Sequence, residues 1–261
     1  MKPETAPATD VVYPESDGKP MADNTLQWDW MVKIVGELRD LFAGQTVFIA
    51  GDLFWYPVEG DPKTVTAPDA LVAFGRPPGY RGSYKQWEEG GIAPQVVFEV
   101  LSPSNTDDEM DRKREFYDRH GVEEYYLIDP YQNIVSGFRR HDGRLIQVMK
   151  MDGYVSPRLG IRFERNSGEL TLYTPDGRPF QTREEVAEEL RRTAAAFEDE
   201  RARAIAESQR ADRAEEQAAR AEEQAARAGE QAAREQAARE VLAAKLREFG
   251  VNPDELLRPA G

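Results

Sequence analysis

Apolar residues recur along this chain at two different spacings, and the change of spacing divides it. Between residues 25 and 42, Leu26, Trp30, Ile34, Val35, Leu38, Leu41 and Phe42 stand three or four apart. That spacing stacks side chains on one helical face and predicts a first core helix, with Asp23 or Asn24 placed to cap its start. Runs rich in apolar, β-branched and aromatic residues follow at residues 46–56, 70–74 and 95–101. Such runs predict strands, and the last, Gln95-Val96-Val97-Phe98-Glu99-Val100-Leu101, has the pattern of one buried on both faces. A polar turn, Glu59-Gly60-Asp61-Pro62, separates the first two, and a glycine- and proline-rich insertion over residues 75–91 separates the second from the third. Residues 107–117 predict a helix capped near Thr106, and residues 125–128 a further strand. Residues 134–138, 145–149 and 170–173 have the pattern of antiparallel hairpin strands. The order predicts an α/β fold in which a mixed β-sheet core is flanked by helices.

From Thr182 onward the composition shifts to Ala, Glu, Gln and Arg, with no proline until Pro253. One long C-terminal helix is expected. Its segment Ala214-Glu215-Glu216-Gln217-Ala218-Ala219-Arg220 repeats with a period of seven, and Ala214, Ala218, Ala221, Ala225, Ala228 and Ala232 form a coiled-coil-like seam. Alanine buries little area, far less than the roughly 1.5–3 kcal/mol of a leucine, so a solvated single helix is the competing expectation. Leu242, Leu246 and Phe249 supply stronger anchors before Gly250 and Pro253 end the helix. The expected organisation is an N-terminal arm over residues 1–24, placed to close over a cleft, a domain over 25–175, and a helical segment over 182–261. A homodimer or higher homo-oligomer is expected, with the helix strengthening the association.

Candidate chemistry begins with Glu99. A lone carboxylate in the middle of a buried strand loses several kcal/mol of hydration, on the order of the cost of any unpaired buried ion, so something is expected to compensate it. Asp69, after Pro68, stands where a loop enters the apolar run 70–74. Two acids at neighbouring strands can hold one hard cation through oxygen. Lys113 shares a helix face with Met110 and Tyr117 at i, i+3, i+7 spacing. Each has a plainer explanation. Asp69 is ordinary turn chemistry, Glu99 pairs with an arginine, and Lys113 snorkels along apolar surface. Glu37 on the first helix is either a further metal ligand or an exposed helix acid. If Glu99 is unpartnered without metal, Glu99→Gln leaves the metal-free protein as stable or more so.

Composition narrows the metal chemistry further. The 261 residues include no cysteine and only two histidines, His120 and His141, which excludes thiolate and histidine-rich metal sites and leaves hard oxygen ligation. No run approaches the length of a membrane span, and residues 1–7 lack the apolar centre of a signal peptide, so no membrane association and a cytoplasmic location are expected. The net charge of −14 opposes nonspecific affinity for DNA.

Taken together, Pro68-Asp69, Glu99-Val100-Leu101-Ser102-Pro103-Ser104, Lys113, Tyr117 and Gly121-Val122-Glu123-Glu124-Tyr125-Tyr126-Leu127-Ile128-Asp129-Pro130 resemble the Uma2 family. That family is a branch of the PD-(D/E)xK restriction-endonuclease-like superfamily, and the resemblance covers roughly residues 12–170. It implies a restriction-endonuclease-like fold and a metal-dependent endonuclease acting on nucleic acid, DNA in the first instance, with Mg²⁺ or Mn²⁺ as cofactor. It also implies Asp69, Glu99, Lys113 and Tyr117 as catalytic residues, with Asp69 and Glu99 holding the metal. The superfamily pattern puts the lysine two residues after the acid, where this chain has Leu101; Lys113 matches the position to which Uma2 proteins move it. The alternative from another class is a non-catalytic interaction protein that keeps the fold and assembles through its C-terminal helix.

Overall fold

Asn24 starts the first helix, α1 (Thr25–Leu41), its side-chain oxygen accepting a hydrogen bond from Gln27 N at 3.0 Å. Of the two candidate caps it is Asn24 that acts; Asp23 instead accepts from the hydroxyls of Ser102 and Ser104. The computed structural model of the protein describes residues 11–18, 20–250 and 252. Residues 1–10 and Lys19, part of the expected arm, and Pro253, the expected helix stop, lie outside them.

Eleven strands follow α1 among the described residues: β1 (Val47–Ala50), β2 (Trp55–Tyr56), β3 (Ala70–Phe74), β4 (Tyr84–Lys85), β5 (Val96–Val100), β6 (Glu124–Asp129), β7 (Ile134–His141), β8 (Arg144–Gln147), β9 (Tyr154–Val155), β10 (Arg162–Asn166) and β11 (Glu169–Tyr173). Helix α2 (Asp107–Arg119) lies between β5 and β6, and α3 (Arg183–Glu248) ends the succession. The main sheet has the order β1-β3-β5-β6-β7-β8. Its β5–β6 pair is parallel and its other pairs are antiparallel, so the fold is mixed α/β. A parallel pair cannot be closed by a hairpin; it needs a crossover, and α2 supplies it. Smaller sheets, β11-β10-β9 and β2-β4, complete the fold.

The strands read as unbroken apolar runs because both faces of the sheet are covered. Val47, Ile49, Ala70, Val72, Val96, Phe98, Tyr126 and Ile128 belong to one core cluster, with Ile34 and Leu38 of α1 and Phe163 and Leu172 of the second sheet. Phe48, Ala50, Leu71, Ala73, Val97 and Tyr125, the alternate residues, belong to the other, with Tyr117 of α2. By that alternation Glu99 and Asp69 face α2.

Three expectations are corrected. Residues 46–56 are two strands, not one: the chain breaks at Gly51-Asp52, where Asp52 adopts a left-handed φ of 47°. Gly51 leaves little room for a side chain, since a Cβ there would stand 3.0 Å from Asp69 O and 3.1 Å from Val35 Cγ2. β4, β9 and β10 were not foreseen, β10 because Arg162, Glu164 and Asn166 make its other face polar. The chain also goes on packing past residue 175, with Phe180 buried in the α1-side core.

Residues 1–188 and 189–261 form two compact units. Helix α3 opens with a capping box: Thr182 N donates to Glu185 Oε2 at 2.7 Å and Glu185 N to Thr182 Oγ1 at 3.2 Å. None of its described residues is buried. Arg220–Glu216 and Arg227–Glu223 form i,i+4 ion pairs along it, and Gly250 follows with φ 76°. Among the described residues no helix is long and apolar enough to cross a membrane.

Candidate active site

Sheet register brings the acids together. β3 and β5 pair with Ala70 opposite Phe98, so one step further sets Asp69 level with Glu99 on the next strand. β1 and β3 pair with Ala50 opposite Leu71, and the backbones stay bonded as far as Asp52 N to Pro68 O at 3.0 Å, which sets Asp52 beside Asp69. Neighbouring strands lie about 4.8 Å apart, so Asp52, Asp69 and Glu99 make one row across three strands. Asp52 was missed in the sequence; the Gly51-Asp52 turn pair inside an apolar run was its only signal.

Helix α2 lays a cation and a hydroxyl over that row. Thr106 caps it, its hydroxyl accepting from Glu109 N at 3.3 Å, and three acids, Asp107, Asp108 and Glu109, occupy its positive end. Two turns later Lys113 Nζ donates to Glu99 Oε2 at 2.8 Å, and Tyr117, one turn beyond, donates its hydroxyl to Glu99 Oε1. Glu99 is only 2% exposed. The compensation expected for it is therefore a lysine and a tyrosine, not an arginine, and Lys113 does not merely snorkel. Asp69 Oδ2 accepts from Val100 N at 2.6 Å, whereas its other oxygen has no donor among the described residues. Gln27, buried on α1, donates to Val100 O at 3.0 Å and steadies the same strand end.

The charges do not balance. Burial, and then the charge of Glu99, push the Asp69 carboxyl well above the usual range. Burial works to lower Lys113, but Glu99 and Asp69 outweigh it and hold the ammonium above its ordinary value. Burial and the charge of Asp17, on the arm, push Asp52 up to about 6. The arm itself is seated through Tyr13, which packs on Tyr56 and Trp87 at 5.1 and 5.0 Å, and through Pro14 O, which accepts from Tyr56 Oη at 2.6 Å. Because the folded state holds the Asp52 proton more tightly than the unfolded chain, acid favours folding. Metal-free stability is thus expected to fall as pH rises from about 3.8 to about 6, and Asp52→Asn to flatten that slope in urea melts run across the range. Identical slopes would remove Asp52 from the row's electrostatics.

Glu37 is not brought to this site by any contact. Its carboxylate is 5% exposed, not an exposed helix acid, and it accepts from Arg178 Nη1 at 2.9 Å, Arg178 Nη2 at 2.7 Å and Gln181 N at 2.9 Å. Both oxygens are committed to fastening residues 178–181 onto α1, so the metal-ligand expectation is corrected to a structural ion pair. Arg178→Ala is expected to cost about 2 kcal/mol, below the 3–5 typical of a fully buried pair because Arg178 is 42% exposed, with Mn²⁺ affinity unchanged. Calorimetry and a denaturant melt read both quantities.

Asp69 and Glu99 suit a hard divalent cation in donor type and in charge. Carboxylate oxygens are its preferred ligands, and among the described residues Asp69 has an oxygen without a donor and Lys113 is the one cation in contact with the acid row. Among the described residues no group of three or more His, Cys, Asp or Glu is arranged to hold a metal. One or two carboxylates completed by water and substrate phosphate is the usual supply for Mg²⁺.

No curated protein matches this chain. Among solved structures, a crystal structure described as a "putative nuclease belonging to DUF820" from Anabaena variabilis ATCC 29413 is similar to it at 20% identity. The match covers 53% of this chain and 74% of the other, with a TM-score of 0.39. Residues 22–159, more than half of the 261, match the Uma2 family, described as "Putative restriction endonuclease", and the chain belongs to that family.

Proposed function

We propose that this protein is a metal-dependent endonuclease that hydrolyses phosphodiester bonds of nucleic acid, with DNA as substrate. The observation that carries the proposal is the 2.8 Å ion pair of Lys113 with buried Glu99, one strand away from Asp69. Asp69 and Glu99 would hold Mg²⁺ or Mn²⁺. Such an ion supplies Lewis-acid chemistry, withdrawing negative charge from the phosphate. Lys113 adds a fixed positive charge where the phosphate oxygens gain negative charge, a preorganised group aimed at the transition state. Tyr117 holds one oxygen of Glu99 and so sets the plane of its carboxylate, while Val100 N does the same for Asp69. Burial, and then the charge of Glu99, keep the Tyr117 hydroxyl protonated, so it acts as a donor and not as a base.

Incubating the protein with linear, circular and single-stranded DNA and with RNA, in Mg²⁺, in Mn²⁺ and in EDTA, tests the proposal. Cleavage of DNA in either metal and none in EDTA is the expected result. Cleavage that survives EDTA, or none of any substrate, would overturn it.

The net charge of −14 favours the second reading, a non-catalytic interaction protein. Helix α3 bears on both readings, because Leu190, Phe197, Val241 and Leu242 stand 58–69% exposed on it. We expect an assembly of at least two copies, to which the alanine seam contributes modestly. Light scattering on the full chain and on a chain ending at Thr182 checks this, and equal monomer masses would make α3 a solvated extension.

A further inference from the structure

Tyr125 is the buried group beside this site for which the chemistry above has no use. Its side chain comes from β6, on the α2 face of the sheet, and packs between the ring of Tyr117 at 5.1 Å and that of Phe138 at 5.5 Å. The residue is 1% exposed, yet its hydroxyl has no hydrogen-bond partner among the described residues. A buried hydroxyl without a partner forfeits the hydrogen bonds it would make in water, so this one calls for a partner that the described residues do not supply. β6 pairs with β5 so that Tyr125 stands opposite Val97, two residues before Glu99 on the same face, and its ring touches Tyr117, which bonds Glu99; it therefore lies beside the acid row, where Asp69 keeps one oxygen without a donor among the described residues. A phenol is protonated at neutral pH, which leaves it a donor.

We infer that Tyr125 is a positioning residue of this site, its hydroxyl donating to a small oxygen ligand, water or phosphate, held at the Asp69–Glu99 pair. The inference rests on the proposed metal chemistry and adds a residue to it. Tyr117 serves the carboxylate; Tyr125 serves what the carboxylates hold. The two phenols thus have separate duties although their rings touch. Tyr154 provides a control, a tyrosine of β9 whose strongest charged neighbours are Glu124 and Arg139 and not Glu99 or Asp69.

The test compares wild type, Tyr125→Phe and Tyr154→Phe in the full chain by three measurements: thermal melting in EDTA, Mn²⁺ affinity by calorimetry, and single-turnover DNA cleavage. Removing a hydroxyl that has no partner among the described residues is expected to leave the EDTA melting temperature of Tyr125→Phe unchanged or raised. Its Mn²⁺ affinity or its cleavage rate is expected to fall about tenfold, the size of one hydrogen bond to a charged assembly, with Tyr154→Phe matching wild type in both. A lowered melting temperature with Mn²⁺ affinity and cleavage intact would make Tyr125 a packing residue and overturn the inference alone. Equal losses in both variants would also overturn it, as a general effect of core hydroxyls. Wild type that binds Mn²⁺ without cleaving would refute the nuclease proposal while the calorimetry still judged Tyr125; wild type that binds no Mn²⁺ would refute both.

Discussion

Glu99→Gln is expected to abolish metal-dependent cleavage, with a loss of at least about 10³ in rate, because it removes a charged ligand and the anchor of Lys113 together. The same substitution is expected to destabilise the metal-free protein. Breaking a buried ion pair from one side typically costs about 3–5 kcal/mol. Two features reduce that here: Lys113 is 24% exposed and can turn to water or to Asp69, and Asp69 is relieved of a neighbouring negative charge. A net loss of about 1–2 kcal/mol remains. This reverses the sign expected from the sequence, where Glu99 was taken without a partner. Denaturant melts in EDTA measure it, and a glutamine variant at least as stable as wild type would mean that the pair contributes nothing to the resting protein.

Lys113→Ala separates charge from metal. Its cleavage rate is expected to fall by about 10² or more, as when one preorganised charge-stabilising group is removed. Mn²⁺ affinity is expected to hold or to rise, since the lysine and a cation compete for the same Glu99 oxygen. Mn²⁺ should therefore raise the melting temperature of the variant more than that of wild type. Single-turnover kinetics with calorimetry resolve the two effects. Full activity in the variant would reduce Lys113 to a counter-ion for Glu99, and the charge needed by the phosphate would have to come from elsewhere.

Much of the site was legible because its members break local rules. A carboxylate inside Val96-Val97-Phe98 and Val100 conflicts with its surroundings, and such a conflict is visible without a structure. Lys113 and Tyr117 were legible through helical spacing, although only the fold says that the face they share with Met110 meets Glu99 and not lipid-like core alone. Asp52 was hidden by its neighbours: Leu53, Phe54, Trp55 and Tyr56 continue the apolar run, so a break in the chain had the pattern of one long strand. Glu37 was misjudged because its partner lies 141 positions away, beyond the point where the domain was expected to end. Tyr125 could not be singled out at all, since an unsatisfied hydroxyl is a property of surroundings and not of pattern.

The pairing of β3 with β5 has a further consequence, for folding fidelity. Side chains alternate across a sheet, so a slip of β5 by one residue would exchange its two faces. Glu99 would leave Lys113 and Tyr117 and enter the apolar layer of Ile34, Leu38 and Phe163, while Val100 or Phe98 took its place over the acids. Both faces of β5 are otherwise apolar and would tolerate the exchange. A single charged residue thus penalises the misthreaded sheet, and a chain carrying Glu99→Leu would be free to populate both alignments.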